Sequence, residues 1–184
     1  MEKNFKLGVV GCGFMASAII KGIIEAKVLR SDDIVVSNKE GAGFDLVAGY
    51  AVATTYDNEY LAENAEFILL AVKPQGLEDV LCSIGNVNAE KFITILAGVK
   101  KAKIKETFPY AKVARVMPNT PCSIGSGAMG ADVNDFESED QKFIIDLFSA
   151  LGTVVRIDEE QINAVTGISG SGPAYAVSYT HLRA

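Results

Sequence analysis

The chain has 184 residues, 49% hydrophobic and 22% charged, and its 17 Lys and Arg against 23 Asp and Glu give a net charge of −6. That balance excludes a disordered polymer, a collagen and a coiled coil, and the length suits one substantial core that needs no disulfide or metal to hold it. An acidic chain also lacks the broad positive field that attracts nucleic acid or an anionic membrane surface, so neither is an expected partner.

The first segment, Met1 to Phe5, lacks the long apolar stretch of a signal peptide, and no later run approaches the roughly 20 residues that span a bilayer. A cytoplasmic protein is expected. Short β-rich runs follow at Leu7 to Val10, Ile34 to Ser37, Phe67 to Val72, Phe92 to Leu96, Lys112 to Met117 and Thr153 to Ile157. After the first run, Met15, Ala18, Ile19, Gly22, Ile23 and Ala26 recur at steps of three and four, which predicts a helix with one apolar face. Asp132 to Asp140 reads as an acidic connector: a solvated loop and the first turn of a helix, where carboxylates offset the helix dipole. That helix carries Phe143, Ile144, Leu147, Phe148 and Leu151 and is stopped by Gly152. Strands that are apolar throughout and alternate with helices predict an α/β fold with a mostly parallel sheet covered on both faces. A last helix is expected from Ala174, too short to be stable unless it docks, and residues 178–184 continue no apolar stripe and read as a non-native tail.

Cys12, Cys82 and Cys122 lie far apart and one must stay unpaired, so a reducing compartment suits them better than a disulfide framework. With His181 as the single histidine and no Cys-x-x-Cys pair, a zinc site is not expected.

The sharpest motif is Gly8-Val9-Val10-Gly11-Cys12-Gly13-Phe14-Met15-Ala16, a strand that runs into a GxGxxA turn and then a helix. Gly11 allows the tight turn, Gly13 lets the backbone approach a pyrophosphate, and Ala16 lets helix and strand pack closely. In the first unit of an alternating chain this points to dinucleotide binding on a Rossmann-like, doubly wound sheet, with structural glycines as the competing reading. An NAD site would place an acidic residue at the end of the second strand. Asp32 and Asp33 have the right spacing but precede that strand, and its far end carries Ser37-Asn38-Lys39, which suits the 2′-phosphate of NADP. An ordinary loop lysine is the alternative. Lys73 should project from the carboxyl edge of the third run, with Pro74 fixing the turn, towards cofactor phosphate or nicotinamide ribose.

Two longer strings, Arg115-Val116-Met117-Pro118-Asn119-Thr120-Pro121 and Ser169-Gly170-Ser171-Gly172-Pro173-Ala174-Tyr175, closely resemble pyrroline-5-carboxylate reductase. The glycine turn, Ser37-Asn38-Lys39, Asp57-Asn58 and Ala71-Val72-Lys73-Pro74 occur in the family's order and spacing, so the resemblance covers residues 5 to about 177. It implies reduction of 1-pyrroline-5-carboxylate to proline, the last step of proline biosynthesis, by hydride from NADPH, with NADH a possible substitute. It places cofactor contacts on Gly11, Cys12, Gly13, Phe14 and Met15, on Ser37, Asn38 and Lys39, on Asn58, and on Ala71, Val72, Lys73, Pro74 and Ala97. Met117, Pro118 and Asn119 become a wall beside the nicotinamide, Asn119 its polar contact. Ser171 and Gly172 come near the substrate carboxylate. Neither a protein nucleophile nor a metal is implied, because the cofactor carries the hydride.

The family's substrate is held mainly by a C-terminal all-helical dimerisation domain, and this chain carries only its start. The resemblance therefore divides the chain into a cofactor-binding domain at 1–160, the beginning of the helical domain at 161–177, and the tail at 178–184. The complete protein is expected to be a homo-oligomer, a dimer or a multiple of dimers. Loss of the helical domain should expose a patch around Ile162, Val165, Ile168, Tyr175 and Val177 and favour self-association. The competing readings are a non-catalytic NADP-binding fragment and a related dehydrogenase acting on a β-hydroxy acid or another imine. A methyltransferase is disfavoured by the lack of an acidic residue after the second strand.

Overall fold

The computed structural model describes residues 3–39, 43–85 and 87–182. Eight strands form one sheet in the order β3-β2-β1-β4-β5-β6-β7-β8. They are β1 (Phe5–Val10), β2 (Ile34–Ser37), β3 (Ala53–Thr55), β4 (Ala65–Leu70), β5 (Lys91–Thr94), β6 (Lys112–Met117), β7 (Gly127–Asp132) and β8 (Gly152–Arg156). Neighbours are parallel except β6 and β7, where Arg115 faces Asp132 and Met117 faces Gly130. Six strands therefore end at one carboxyl edge, and the reversal at β1, from which the order runs outward both ways, opens the crevice where such sheets bind ligands.

Helices α1 (Phe14–Glu25) and α5 (Ser138–Ser149) cover one face. They pack on Leu7, Val9, Ile34, Val36, Phe67, Leu69, Ile93, Ala114 and Val116. The other face carries α2 (Asn58–Asn64), α3 (Leu77–Ile84) and α4 (Lys101–Lys105), which lie over Val10, Val35, Ile68, Leu70, Phe92 and Val113. Alternate residues of one strand thus enter different cores, which is why the strands read as apolar at every position. Each fully buried Phe or Leu contributes about 1.5–3 kcal/mol of transfer free energy.

Two strands had no counterpart in the sequence reading. β7 has the sequence Gly-Ala-Met-Gly-Ala-Asp, without a β-branched or aromatic residue, and β3 is three residues at the sheet edge. The third run ends at Leu70 instead of Val72, which leaves Ala71 to Lys73 in the connection beyond it.

The solvated acidic connector also needs correction. Asp132 ends β7 and is 1% exposed, its Oδ2 2.6 Å from Lys101 Nζ. Asp135 lies 2.8 Å from the same nitrogen and 2.6 Å from Lys105 Nζ. Glu139 and Asp140 do occupy the first turn of α5.

After β8 the chain forms α6 (Ile162–Val165), a π-helical turn (Thr166–Gly170) and α7 (Gly172–Leu182). α7 starts two residues before the expected Ala174 and is one helix through residue 178. Of the expected exposed patch, Ile168, Tyr175 and Val177 are open, whereas Ile162 is fully buried and leaves the patch.

Candidate functional site

Gly11 ends the extended backbone of β1 with φ of +98°, a conformation that costs an L side chain about 1–2 kcal/mol. A Cβ there would also lie 2.8 Å from the Ala71 carbonyl oxygen and 2.9 Å from a Val72 methyl. The bare backbone lets Gly11 N–H donate to the Ser37 carbonyl at 2.8 Å, so the ends of β1, β2 and β4 converge. Gly13 is extended and caps α1 without a side-chain hydrogen bond. The space where its Cβ would stand is open, which leaves the amino end of α1 accessible to an anion. Ala16 is buried against the sheet.

Beyond this turn lies a groove of about 660 Å³. It is lined by Val10 and Gly11 at the end of β1, by Ser37, Asn38 and Lys39 after β2, by Tyr56, Asp57 and Asn58 between β3 and α2, and by Val72, Gly76, Asp79, Val80 and Ser83 from the end of β4 into α3. Ser37 is fully buried, and its hydroxyl donates to Asn58 Oδ1 at 2.5 Å. Asn58 Nδ2 donates to Ser83 Oγ at 2.8 Å, and Ser83 donates to the Val80 carbonyl. One amide therefore connects β2, α2 and α3 beneath the groove. Asn58 can sit there because Asp57 caps α2, its carboxylate accepting the Tyr60 N–H at 3.0 Å. Lys39 is exposed and makes no ion pair with a described residue.

Gly11, Ser37, Asn38, Lys39, Asn58 and Val72 are thus gathered around one groove. Cys12 is buried in the turn, where its thiol donates to the Gly43 carbonyl at 3.0 Å and burial pushes its pKa up. Met15 is half-buried against the core, and Phe14 is exposed at the start of α1. Ala71 follows β4, whereas Lys73 and Pro74 open a 3-10 turn with their side chains exposed; Ala97 is exposed after β5. These four follow the carboxyl ends of β4 and β5 but do not line the groove. Tyr56, Gly76, Asp79, Val80 and Ser83 were not singled out in the sequence. The short run Ala53-Thr54-Thr55 before Asp57 was the available signal for the first of them.

Met117 is the last residue of β6, and Pro118 and Asn119 follow it. Asn119 is mostly buried and fully engaged: Nδ2 donates to the Ser169 carbonyl and hydroxyl at 3.3 and 3.2 Å, and Oδ1 accepts the Ala128 N–H at 3.2 Å. Its amide ties β6 and β7 to the π-helical turn. The Met117 methyl lies 3.4 Å from the position of a Cβ on Gly170, so this turn, Ser171 and Gly172 border the end of β6. Ser171 caps the turn, its N–H and hydroxyl donating to the Thr166 carbonyl at 3.0 and 3.2 Å.

Beneath that border Arg115 is 2% exposed. One guanidinium nitrogen donates to Asn163 Oδ1 at 3.1 Å, another lies 3.6 Å from Glu159, and Nε has no partner among the described residues. Glu159 also accepts the Lys101 N–H at 2.7 Å, which joins α4 to the segment leading into α6.

Strand order, glycine turn and groove together define the class of doubly wound, Rossmann-like domains. Residues 6–98 match the family model of NADP oxidoreductases that are coenzyme F420-dependent. A pyrroline-5-carboxylate reductase of Synechocystis sp. is 42% identical over 175 residues, 94% of this chain and 66% of that protein. The solved structure of a pyrroline-5-carboxylate reductase from Coxiella burnetii superposes with a TM-score of 0.86 at 29% identity, over 98% of this chain and 69% of that one. That of Plasmodium falciparum pyrroline carboxylate reductase with NADP bound gives 0.81 at 31% identity, over 97% and 67%. The chain belongs to the pyrroline-5-carboxylate reductase family. It spans 65 to 66% of the length of the curated relatives it matches.

Proposed function

We propose that this chain holds NADPH along the carboxyl edge of β1, β2 and β4, and that it is the cofactor-binding part of an enzyme reducing 1-pyrroline-5-carboxylate to L-proline, the last step of proline biosynthesis. The observation that carries the reading is the groove between the Gly11 turn and Ser37-Asn38-Lys39. Beside it, the open backbone at Gly13 and the amino end of α1 would receive the pyrophosphate. Ser37 and Asn38 meet the adenosine ribose, and Lys39 pairs with the 2′-phosphate, which disfavours NADH.

Bound there, NADPH would supply the hydride for reduction of the substrate's C=N carbon. The chain's own residues position it: Ala71, Val72 and Ala97 bound the nicotinamide half, Lys73 reaches its ribose or phosphate, and Met117, Pro118 and Asn119 wall the ring. Asn119 acts through its internal hydrogen bonds, holding that wall against the π-helical turn. Ser171 and Gly172 stand at the amino end of α7, whose dipole suits the substrate carboxylate.

The reading divides the chain into a cofactor domain at 1–160, the beginning of a helical dimerisation domain from 161, and a tail at 178–184. Exposed Ile168, Tyr175 and Val177 support a homo-oligomer. Three unpaired cysteines support a cytoplasmic setting, and no helix among the described residues is long and apolar enough to cross a membrane.

The test is NADPH protection against thermal unfolding together with NADPH oxidation in the presence of pyrroline-5-carboxylate. Protection with turnover is the expected result for a complete site. Protection alone would leave a non-catalytic cofactor domain, and absence of protection would overturn the reading.

A further inference from the structure

We infer that Tyr56 is the stacking platform for the adenine base, an inference that rests on the dinucleotide reading of the same groove. Tyr56 is 70% exposed although it is a large aromatic residue, and its ring borders the groove. Its position is built. Asn38 N–H donates to the Thr55 carbonyl at 3.4 Å, and Asp57 N–H donates to Thr55 Oγ1 at 3.1 Å, so the backbone is held on both sides of Tyr56. Phe44 braces the ring, with centroids 5.6 Å apart and planes inclined at 59°.

Strand order gives the ring its role. Gly11 follows β1, Ser37 ends the adjacent β2, and Tyr56 follows the next strand, β3. With neighbouring strands about 4.8 Å apart, the three positions form a ruler along the sheet edge. Read outward, they present an anion-accepting turn, polar groups suited to a ribose, and an aromatic face, the order of pyrophosphate, sugar and base in an adenine dinucleotide. Val80 on α3 supplies an apolar surface in the same groove, so a flat ring can be covered there too. Stacking uses the ring face and not the phenolic hydroxyl, which fixes how the site should respond to substitution.

The experiment uses the 184-residue chain and adenosine 2′,5′-bisphosphate, which carries the base and the 2′-phosphate but no nicotinamide, with NADPH titrated alongside. Tyr56→Ala should weaken the bisphosphate by about 5- to 150-fold, the range for loss of one base–aromatic stack. Tyr56→Phe should bind within about threefold of the parent. Tyr56→Phe should keep the ligand-free unfolding midpoint, and Tyr56→Ala, which loses the Phe44 ring contact at a mostly exposed side chain, should lower it by no more than about 1 kcal/mol, so a folded variant remains to be titrated. Parental affinity in Tyr56→Ala, or equal losses in both variants, would overturn the stacking role and leave the dinucleotide reading intact if the parent binds. Failure of the parent to bind either ligand would overturn both.

Discussion

Ser37 and Asn58 are joined by a 2.5 Å hydrogen bond from a fully buried hydroxyl to a side-chain amide oxygen. The bond fastens the carboxyl end of β2 to the first turn of α2, and the other end of the amide reaches Ser83 on α3. Asn58→Ala leaves the Ser37 hydroxyl without its acceptor, at a cost of about 1–3 kcal/mol. Asn58→Asp keeps an acceptor for Ser37 and should be less destabilising, yet it sets a negative charge in the groove proposed for the cofactor phosphates. Thermal unfolding with and without NADPH separates the two effects: the alanine variant should lose more stability, the aspartate variant more ligand protection.

The turn at Gly11 should tolerate no side chain. Gly11→Ala combines a left-handed backbone with contacts of 2.8 Å to Ala71 and 2.9 Å to Val72, and the first of these involves unyielding backbone. A loss of about 2–4 kcal/mol is expected in urea denaturation, with NADPH protection abolished because the β1 and β4 ends must separate. An unchanged midpoint would mean the turn relaxes freely.

The sequence made this turn readable because Gly11, Gly13 and Ala16 combine a fixed spacing with a strand before and a helix after. The buried strands were equally legible, since Phe67, Ile68, Leu69 and Leu70 alternate between two cores and are all apolar. β7 was not, because Gly127, Gly130 and its alanines carry no strand preference and are held by pairing to β6 and β8. Tyr56 escaped notice for a related reason: its place depends on β3, a three-residue edge strand defined by its neighbour. Asp132 and Asp135 looked like surface charge. Their burial depends on Lys101, more than thirty residues earlier in the chain, and charge runs do not reveal distant partners.

Lys39 should discriminate between the two nicotinamide dinucleotides. It is exposed and makes no ion pair with a described residue, so its removal should leave stability within about 0.5 kcal/mol. Lys39→Ala should weaken NADPH by about tenfold, the scale of one hydrogen bond to a charged group, and leave NADH nearly unchanged. Lys39→Glu should widen the difference by repelling the 2′-phosphate. Equal losses for both dinucleotides in a binding titration would place the 2′-phosphate elsewhere.

The Asp135 cluster predicts the shape of the stability profile. Burial pushes the Asp135 carboxyl up, but hydrogen bonds from Lys101 and Lys105 outweigh it and hold the pKa below its ordinary value. A depressed folded pKa contributes stability that is present above the unfolded value of about 3.9 and is lost as pH falls through the folded one. Lys101 behaves in the opposite sense. Burial pushes it down, yet the hydrogen bonds it donates to Asp132 and Asp135 leave it raised, so its contribution is present below about pH 10.4 and is lost as pH rises through the folded value. Between these limits both contributions are constant. Asp135→Asn removes the charge that both lysines pair with and turns one acceptor oxygen into a donor facing a lysine, at a side chain only 17% exposed, and should cost about 2–3 kcal/mol at neutral pH. The gap between variant and parent should begin to narrow below about pH 4, where the carboxyl protonates in the unfolded chain but not yet in the folded one, and should close as pH falls through the depressed folded value. Denaturation midpoints from about pH 2 to 8 test this, and a gap that stayed constant down to the acid limit would show that Asp135 contributes through packing and not through its charge.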